Sequence, residues 1–270
     1  MRRFRFIPLQ FLAKKVGIKP NKLENIMNFL VKNKLVKKKQ SDYIGYELTY
    51  KGLDCLAIKA LSGFGVITKV GPKIGMGKEG DIWIAYLNNV PRIIKLFRIS
   101  PKSFRKIKIH RHYYIPKRTY SWLELSIKSA YREFRALNIL YQNNVSVPRA
   151  IARKKHAIVM DYIDGVELVK AKLEDPIDTL DKIISEIKKA YEVGIIHADL
   201  SEFNIMITKN GDIYIFDWPQ YITRSHPEAE YYLKRDLNQI TKYFARKYQV
   251  TKEEIEKIMN KHFKNKDNHT

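Results

Sequence analysis

One cysteine, Cys55, stands among 270 residues, so no disulfide can close within the chain. No apolar run approaches the ~20 residues that a membrane-spanning helix requires. The opening stretch MRRFRFIPLQ is basic but lacks the long apolar segment of a secretory leader. A cytoplasmic protein is the expectation. The seven histidines are scattered, and with a single cysteine they offer no zinc-ligand spacing. Acid is scarce as well: 28 Asp and Glu face 51 Lys and Arg, for a formal net charge of +23. Such an excess points to a polyanionic partner, nucleic acid first among them. No lipidation motif speaks for a membrane. A generally lysine-rich surface, as in some heat-adapted proteins, is the plainer account of the same charge.

What is present is ordinary globular material, 45% hydrophobic, long enough for one large domain or two modest ones. The charge is uneven. Residues 1–62 carry fourteen Lys and Arg against four acids, and residues 82–123 carry ten and no acid. Periodicity predicts helices over 6–17 and 20–33, the second with Leu23, Ile26, Met27 and Leu30 at helical spacing. Strands are expected at 35–39 and 43–49, then a helix at 51–62. Helices followed by a two-stranded wing read as a winged helix over residues 1–65, with Lys22–Lys32 available to phosphates. Gly63–Gly65 reads as a hinge.

Beyond it, strands are expected at 66–74, 81–87 and 91–99, an amphipathic helix at 123–142, and strands at 147–152 and 156–161. Residues 98–121 form a basic connecting segment. A helix at 176–193, strands at 204–208 and 212–218, and helices at 227–247 and 251–264 complete the chain. The fold class is α+β: the winged helix, an N-terminal lobe over 66–163, and a reduced C-terminal lobe over 164–270.

Four motifs carry chemistry. Gly75-Met76-Gly77-Lys78-Glu79-Gly80 lies between two strand-like runs. That order is the arrangement of a protein-kinase phosphate loop, whereas a dinucleotide fold needs a helix next; glycine would permit close backbone approach and the turn. An ordinary hairpin would read the same. Lys95 follows on the next strand, where a kinase holds the α- and β-phosphates. Glu133 is its expected partner, with Glu124 the alternative. Met160-Asp161-Tyr162-Ile163 would form the link between lobes, the backbone of Asp161 and Ile163 meeting adenine. The most specific motif is His197-Ala198-Asp199-Leu200-Ser201-Glu202-Phe203-Asn204, followed by Ile215-Phe216-Asp217. One carboxylate, Asp199, must take a proton from the attacking hydroxyl. An amide and a second carboxylate, Asn204 and Asp217, suit Mg²⁺, with Mn²⁺ as a substitute. A turn at Asn210-Gly211 would fold the intervening hairpin and return Asp217 to Asn204. His197 is expected to hold the loop, not to ligate metal.

Together, IGMGKEGDIW, IIKLFRISPKSFRKIK, HADLSEFNIMI and IFDWPQ resemble the RIO family of atypical protein kinases, in the subfamily that carries an N-terminal winged helix. The resemblance spans nearly the whole chain. It implies a serine/threonine kinase or ATPase that uses ATP and Mg²⁺ and matures the small ribosomal subunit. The partners would be the pre-ribosomal particle and its rRNA, reached through the winged helix and the basic segment. It further implies Asp217 as a phosphate acceptor, and Ser100, Ser103, Thr119 or Ser121 as autophosphorylation sites. The sequence departs from ordinary kinases at Ser201, where they have lysine, and at Asp217-Trp218-Pro219, where they have Asp-Phe-Gly. It departs from its own family at Gly80 and Ala198. Two other readings remain: a small-molecule phosphotransferase of the aminoglycoside-kinase type, and a nucleotide-sensing rRNA-binding scaffold.

Overall fold

The computed structural model describes residues 6–40, 42–77, 80–99 and 122–263. The N-terminal unit begins with a short strand, β1 (Ile7–Pro8), followed by α1 (Leu9–Val16), α2 (Pro20–Lys32), β2 (Val36–Gln40), β3 (Ile44–Leu48) and α3 (Tyr50–Gly63). The sequence predicts helix from residue 6, but β1 pairs Ile7 with Tyr46 of β3, and extended Pro8 delays α1 to Leu9. Gly17, at φ +69°, ends α1 in the left-handed conformation that glycine adopts without steric cost. Ala13, Leu23, Met27 and Tyr46 make a small core between these helices and the wing. Thr49 caps α3 by accepting the Gly52 N–H (3.1 Å). A Cβ on Gly52 would lie 2.2 Å from the Leu35 carbonyl oxygen, so α3 can sit against the wing only with glycine there.

A five-stranded antiparallel sheet follows, in the order β4-β5-β6-β8-β7. Its strands are β4 (Lys69–Gly77), β5 (Gly80–Leu87), β6 (Val90–Phe97), β7 (Ala150–Lys154) and β8 (Ala157–Asp161), with α4 (Trp122–Gln142) inserted after β6. Alternation along β6 explains why both faces are apolar. Ile94 and Leu96 join Ala57 and Leu61 of α3 in one core, while Ile93 and Phe97 pack toward α4 and the main core. Gly63–Gly65 is therefore not a free hinge: α3 is the covering layer for the sheet face opposite α4. Burying each large aliphatic side chain there contributes about 1.5–3 kcal/mol. Polar contacts reinforce the joint. Asp54 of α3 accepts from Arg98 (2.7 Å) and contacts His156 Nε2 (2.8 Å), and the Tyr50 hydroxyl reaches the carbonyls of Ile99 (2.9 Å) and Trp122 (3.1 Å).

The C-terminal part comprises β9 (Gly165–Glu167), α5 (Pro176–Glu192), β10 (Ile195–Ile196), a 3-10 turn at Glu202–Asn204, β11 (Ile205–Thr208), β12 (Ile213–Ile215), β13 (Ile222–Thr223), α6 (Ala229–Tyr248) and α7 (Lys252–Phe263). β9 and β12 flank β11, and β10 pairs with β13. The turn expected at Asn210-Gly211 is present, with Gly211 at φ +77°. Three strands fall elsewhere than predicted, β4 running over Lys69–Gly77 and not over 66–74. β7 starts at Ala150, after Pro148, which has no N–H to donate to a ladder. β12 stops at Ile215, because Asp217 takes a left-handed conformation (φ +70°) that no strand accommodates.

Candidate active site

The site forms where α4, β6 and the two loops around Asp199 and Asp217 meet. Lys95 lies on the α4-facing side of β6, paired across the sheet with Ile82 and Ile158. Its Nζ donates to Glu133 Oε2 (2.5 Å) and to Asp217 Oδ1 (2.6 Å). Glu133, not Glu124, is thus its partner on α4. The Trp218 backbone amide lies close enough to favour the charged form of Glu133. An isolated ammonium or carboxylate at this depth would be prohibitively costly, so the groups must share charge. Lys95 and Glu133 are buried, whereas Asp217 is about a third exposed, with side-chain exposure of 35%. Burial opposes the ammonium, but the two carboxylates outweigh it and hold the Lys95 pKa above the ordinary lysine value. Burial, with help from the Asp217 charge, pushes Glu133 up to about 7 despite its share of Lys95.

The Asp199 loop is fixed from below. His197 donates from Nε2 to the Phe216 carbonyl (3.1 Å) and accepts the Asp199 N–H at Nδ1 (3.3 Å), which requires the neutral tautomer protonated on Nε2. The expectation that His197 is structural agrees with both bonds. Phe216 in turn donates its N–H to the Asn204 carbonyl (2.9 Å), so the Asp217 strand end lies against Asn204 as the hairpin argument required. Ser201 Oγ donates to Asn204 Oδ1 (2.9 Å) and orients that amide. Asp199 itself is exposed, accessible to an incoming hydroxyl.

Asp236, missed from sequence, is the anchor of this loop. Its carboxylate accepts the N–H groups of Ala198 (2.6 Å) and Leu200 (3.3 Å), and Arg235 donates to the Ala198 carbonyl and to Asp236 Oδ1 (3.1 Å). Burial raises the Asp236 pKa above the usual carboxylate range. Ala198 sits at φ +61°, strained for a residue with a Cβ, and these bonds hold it there. A signal existed: Asp236 falls on the stripe formed by Leu233, Leu237 and Ile240, where an acid is out of place unless it binds something.

The remaining expected residues divide. The Asp161 N–H is taken by the Arg149 carbonyl (3.1 Å), so toward a nucleobase Asp161 can offer only its carbonyl. The Ile163 N–H has no partner among the described residues. An acceptor followed two residues later by a donor matches the adenine edge. Gly75 and Gly77 lie within β4, and Gly77 pairs with Gly80 across the flap. None of the three has positive φ, which corrects the expectation that a turn conformation demands glycine here. Gly80 is required for another reason: a Cβ would approach the Leu96 carbonyl oxygen to 2.4 Å. Lys78 and the serines and threonine at 100, 103, 119 and 121 lie outside the described residues.

A family model described as "RIO domain" matches residues 81–258, and one described as "Rio2, N-terminal" matches residues 1–63. The chain belongs to the RIO family. It is 40% identical over 265 residues to the RIO-type serine/threonine-protein kinase Rio2 of Methanocaldococcus jannaschii, covering 96% of each chain. It is 34% identical over 251 residues to the serine/threonine-protein kinase rio2 of Schizosaccharomyces pombe, covering 92% of this chain and 73% of the relative. The crystal structure of the Rio2 kinase-ADP/Mg²⁺-phosphoaspartate complex from Chaetomium thermophilum superimposes with a TM-score of 0.80 at 30% identity, covering 93% of this chain and 78% of that one. The RIO domain therefore holds Lys95, Glu133, Asp199, Asn204 and Asp217, and the Rio2-type N-terminal domain supplies the α3 layer behind them. Asn204 and Asp217 present the oxygen donors that a hard divalent cation takes, so the residues fit Mg²⁺.

Proposed function

We propose that this protein is an ATP-dependent atypical serine/threonine kinase with ATPase activity, acting in maturation of the small ribosomal subunit. The observation that carries the catalytic part is the Lys95 ammonium, bonded at once to Glu133 (2.5 Å) and Asp217 (2.6 Å). In this reading Lys95 holds the α- and β-phosphates of ATP, with Gly75, Gly77 and Gly80 over them. The Asp161 carbonyl and Ile163 N–H receive adenine. Asn204 and Asp217 hold Mg²⁺, which neutralises phosphate charge when bound. Asp199 takes the proton of the attacking hydroxyl as the bond between the terminal phosphorus and ADP breaks and the new P–O bond forms. In the ATPase branch an Asp217 carboxylate oxygen is itself the acceptor. ADP leaves with the bridging oxygen, and water then cleaves the acyl phosphate. The phosphoaspartate of the Chaetomium relative supports that branch.

The test is incubation with γ-labelled ATP and Mg²⁺, with and without small ribosomal subunits. The expected result is label in an alkali-labile acyl phosphate at residue 217, and free phosphate release that changes when subunits are added. A soluble aminoglycoside or choline labelled faster than protein would overturn the assignment, as would nucleotide binding with neither transfer nor hydrolysis.

The partner part rests on charge. Lys37, Lys38 and Lys39 are exposed on β2, an edge strand of the wing, and Lys14, Lys15 and Lys22 are exposed on α1 and α2. Binding to small-subunit rRNA is expected to weaken linearly in log affinity against log salt. Changing Lys37, Lys38 and Lys39 together to Gln should lower that slope by about 3, roughly one for each phosphate no longer neutralised. An unchanged slope in a filter-binding titration would remove the wing from the RNA interface.

A further inference from the structure

We infer that Arg132 is a positioning residue for the metal-binding carboxylate, and that through it α4 and the turn after Asp217 are held as one piece. Arg132 and Glu133 are consecutive on α4, and both reach the same five-residue stretch. Glu133 bonds Lys95, which bonds Asp217, and the Trp218 backbone amide lies near the Glu133 carboxylate. Arg132 Nε donates to the Pro219 carbonyl (3.0 Å), and its Nη2 donates to the Tyr221 carbonyl. The guanidinium also lies over the Tyr221 ring, 4.6 Å from its centroid. Together with Lys95 on Asp217 Oδ1, residues 217, 219 and 221 are therefore tied to α4 or β6.

The local chain explains why such ties are needed. Asp217 is left-handed at φ +70°, a conformation that must be enforced by its surroundings. Residues 218–221 close a tight turn, with the Tyr221 N–H on the Trp218 carbonyl (3.2 Å). Trp218 is buried, and its indole N–H donates to the Ile215 carbonyl (3.0 Å). Directly after the turn, β13 pairs Ile222 with Ile196 and Thr223 with Ile195, immediately before His197. The segment that carries Asp217 thus returns to the base of the Asp199 loop within a few residues. Arg132 spans the joint between this turn and α4. The planar fork of arginine suits two carbonyls and an aromatic face at once, which lysine cannot reproduce. Removing it frees the turn to shift, and displacements near 1 Å at a phosphate-transfer centre cost about 10²-fold in rate.

This inference rests on Asp217 being a ligand of Mg²⁺, as proposed above. Arg132→Met keeps the aliphatic stem and removes every donor. Its turnover of ATP is expected to fall roughly 10- to 100-fold. The Mg²⁺ concentration for half-maximal turnover should rise about tenfold, while ADP affinity measured in EDTA stays within about twofold. Arg132→Lys should recover part of the Mg²⁺ response. A purely structural staple predicts otherwise: a lower melting temperature with kcat and Mg²⁺ requirement unchanged per folded molecule. That outcome overturns the proposal. If Arg132→Met does not fold, Arg132→Gln, which keeps a neutral amide with two N–H donors, carries the same measurement with the same criteria. Asp217→Asn separates the two layers of the argument. If it retains a normal Mg²⁺ dependence, the assignment of Asp217 as ligand fails. If it loses that dependence while the folded Arg132 variant keeps it, the role of Arg132 alone fails.

Discussion

Asp199→Ala slows phosphate transfer by roughly 10²- to 10⁴-fold, the range for removal of a general base, while ATP affinity changes by less than about threefold. The expectation follows from how the loop is built. The Asp199 side chain is exposed, and the loop under it is held by Asp236 and His197 through backbone groups that the substitution leaves in place. The bonds from Lys95 to Glu133 and Asp217 do not run through Asp199, so the nucleotide should still bind. Single-turnover transfer from labelled ATP, beside equilibrium binding of a fluorescent ADP, checks both halves. Wild-type turnover in the variant would remove Asp199 from the chemistry. A matching loss of binding would mean that the side chain supports the nucleotide and not the proton transfer.

Lys95→Met should have the largest effect on stability. It leaves Glu133 buried beside Asp217 with no cation between them. Breaking a buried pair from one side costs about 3–5 kcal/mol. The cost depends on pH with a definite sign. In the intact protein the Glu133 pKa is raised from 4.5 to about 7, so the folded state binds that proton more tightly than the unfolded one. The associated stability is fully present below pH 4.5 and is lost as pH rises toward 7. Without Lys95 the Glu133 pKa rises further. The deficit of the variant is therefore greatest at neutral and alkaline pH and shrinks as pH falls. Lys95→Met combined with Glu133→Gln should recover much of the stability at pH 8 and none of the activity. Urea denaturation from pH 4.5 to 8 measures this. A deficit that is constant across that range would show that Glu133 does not carry the charge problem.

Much of this arrangement was legible in the chain. Spacing placed Lys95 on an inward-facing strand, and the stripe of α4 put Glu133 at its edge, because period 2 and period 3.6 survive in any packed sheet or helix. The set Asp199, Asn204 and Asp217 was readable because a hairpin with Asn210-Gly211 at its tip has one way to fold back. What stayed hidden was tertiary. Arg132 looks like any surface arginine until the turn at 218–221 is seen beneath it. The flap glycines were expected to serve turn conformation, yet Gly80 answers to the carbonyl of Leu96 on the neighbouring strand, a neighbour that sequence order does not reveal. Gly63–Gly65 looked like a joint because glycine-rich stretches usually are, and the apolar surface of α3 gave no hint of which core it would enter.

That placement of α3 has a geometric consequence. The wing and the sheet behind the cleft share one helix, which is the third helix of the first and the backing layer of the second. A polyanion gripping the wing would be presented to the cleft at a set distance and bearing, as a jig presents a workpiece. The orientation of the docked particle, more than recognition of any short peptide, would then decide which group comes within reach.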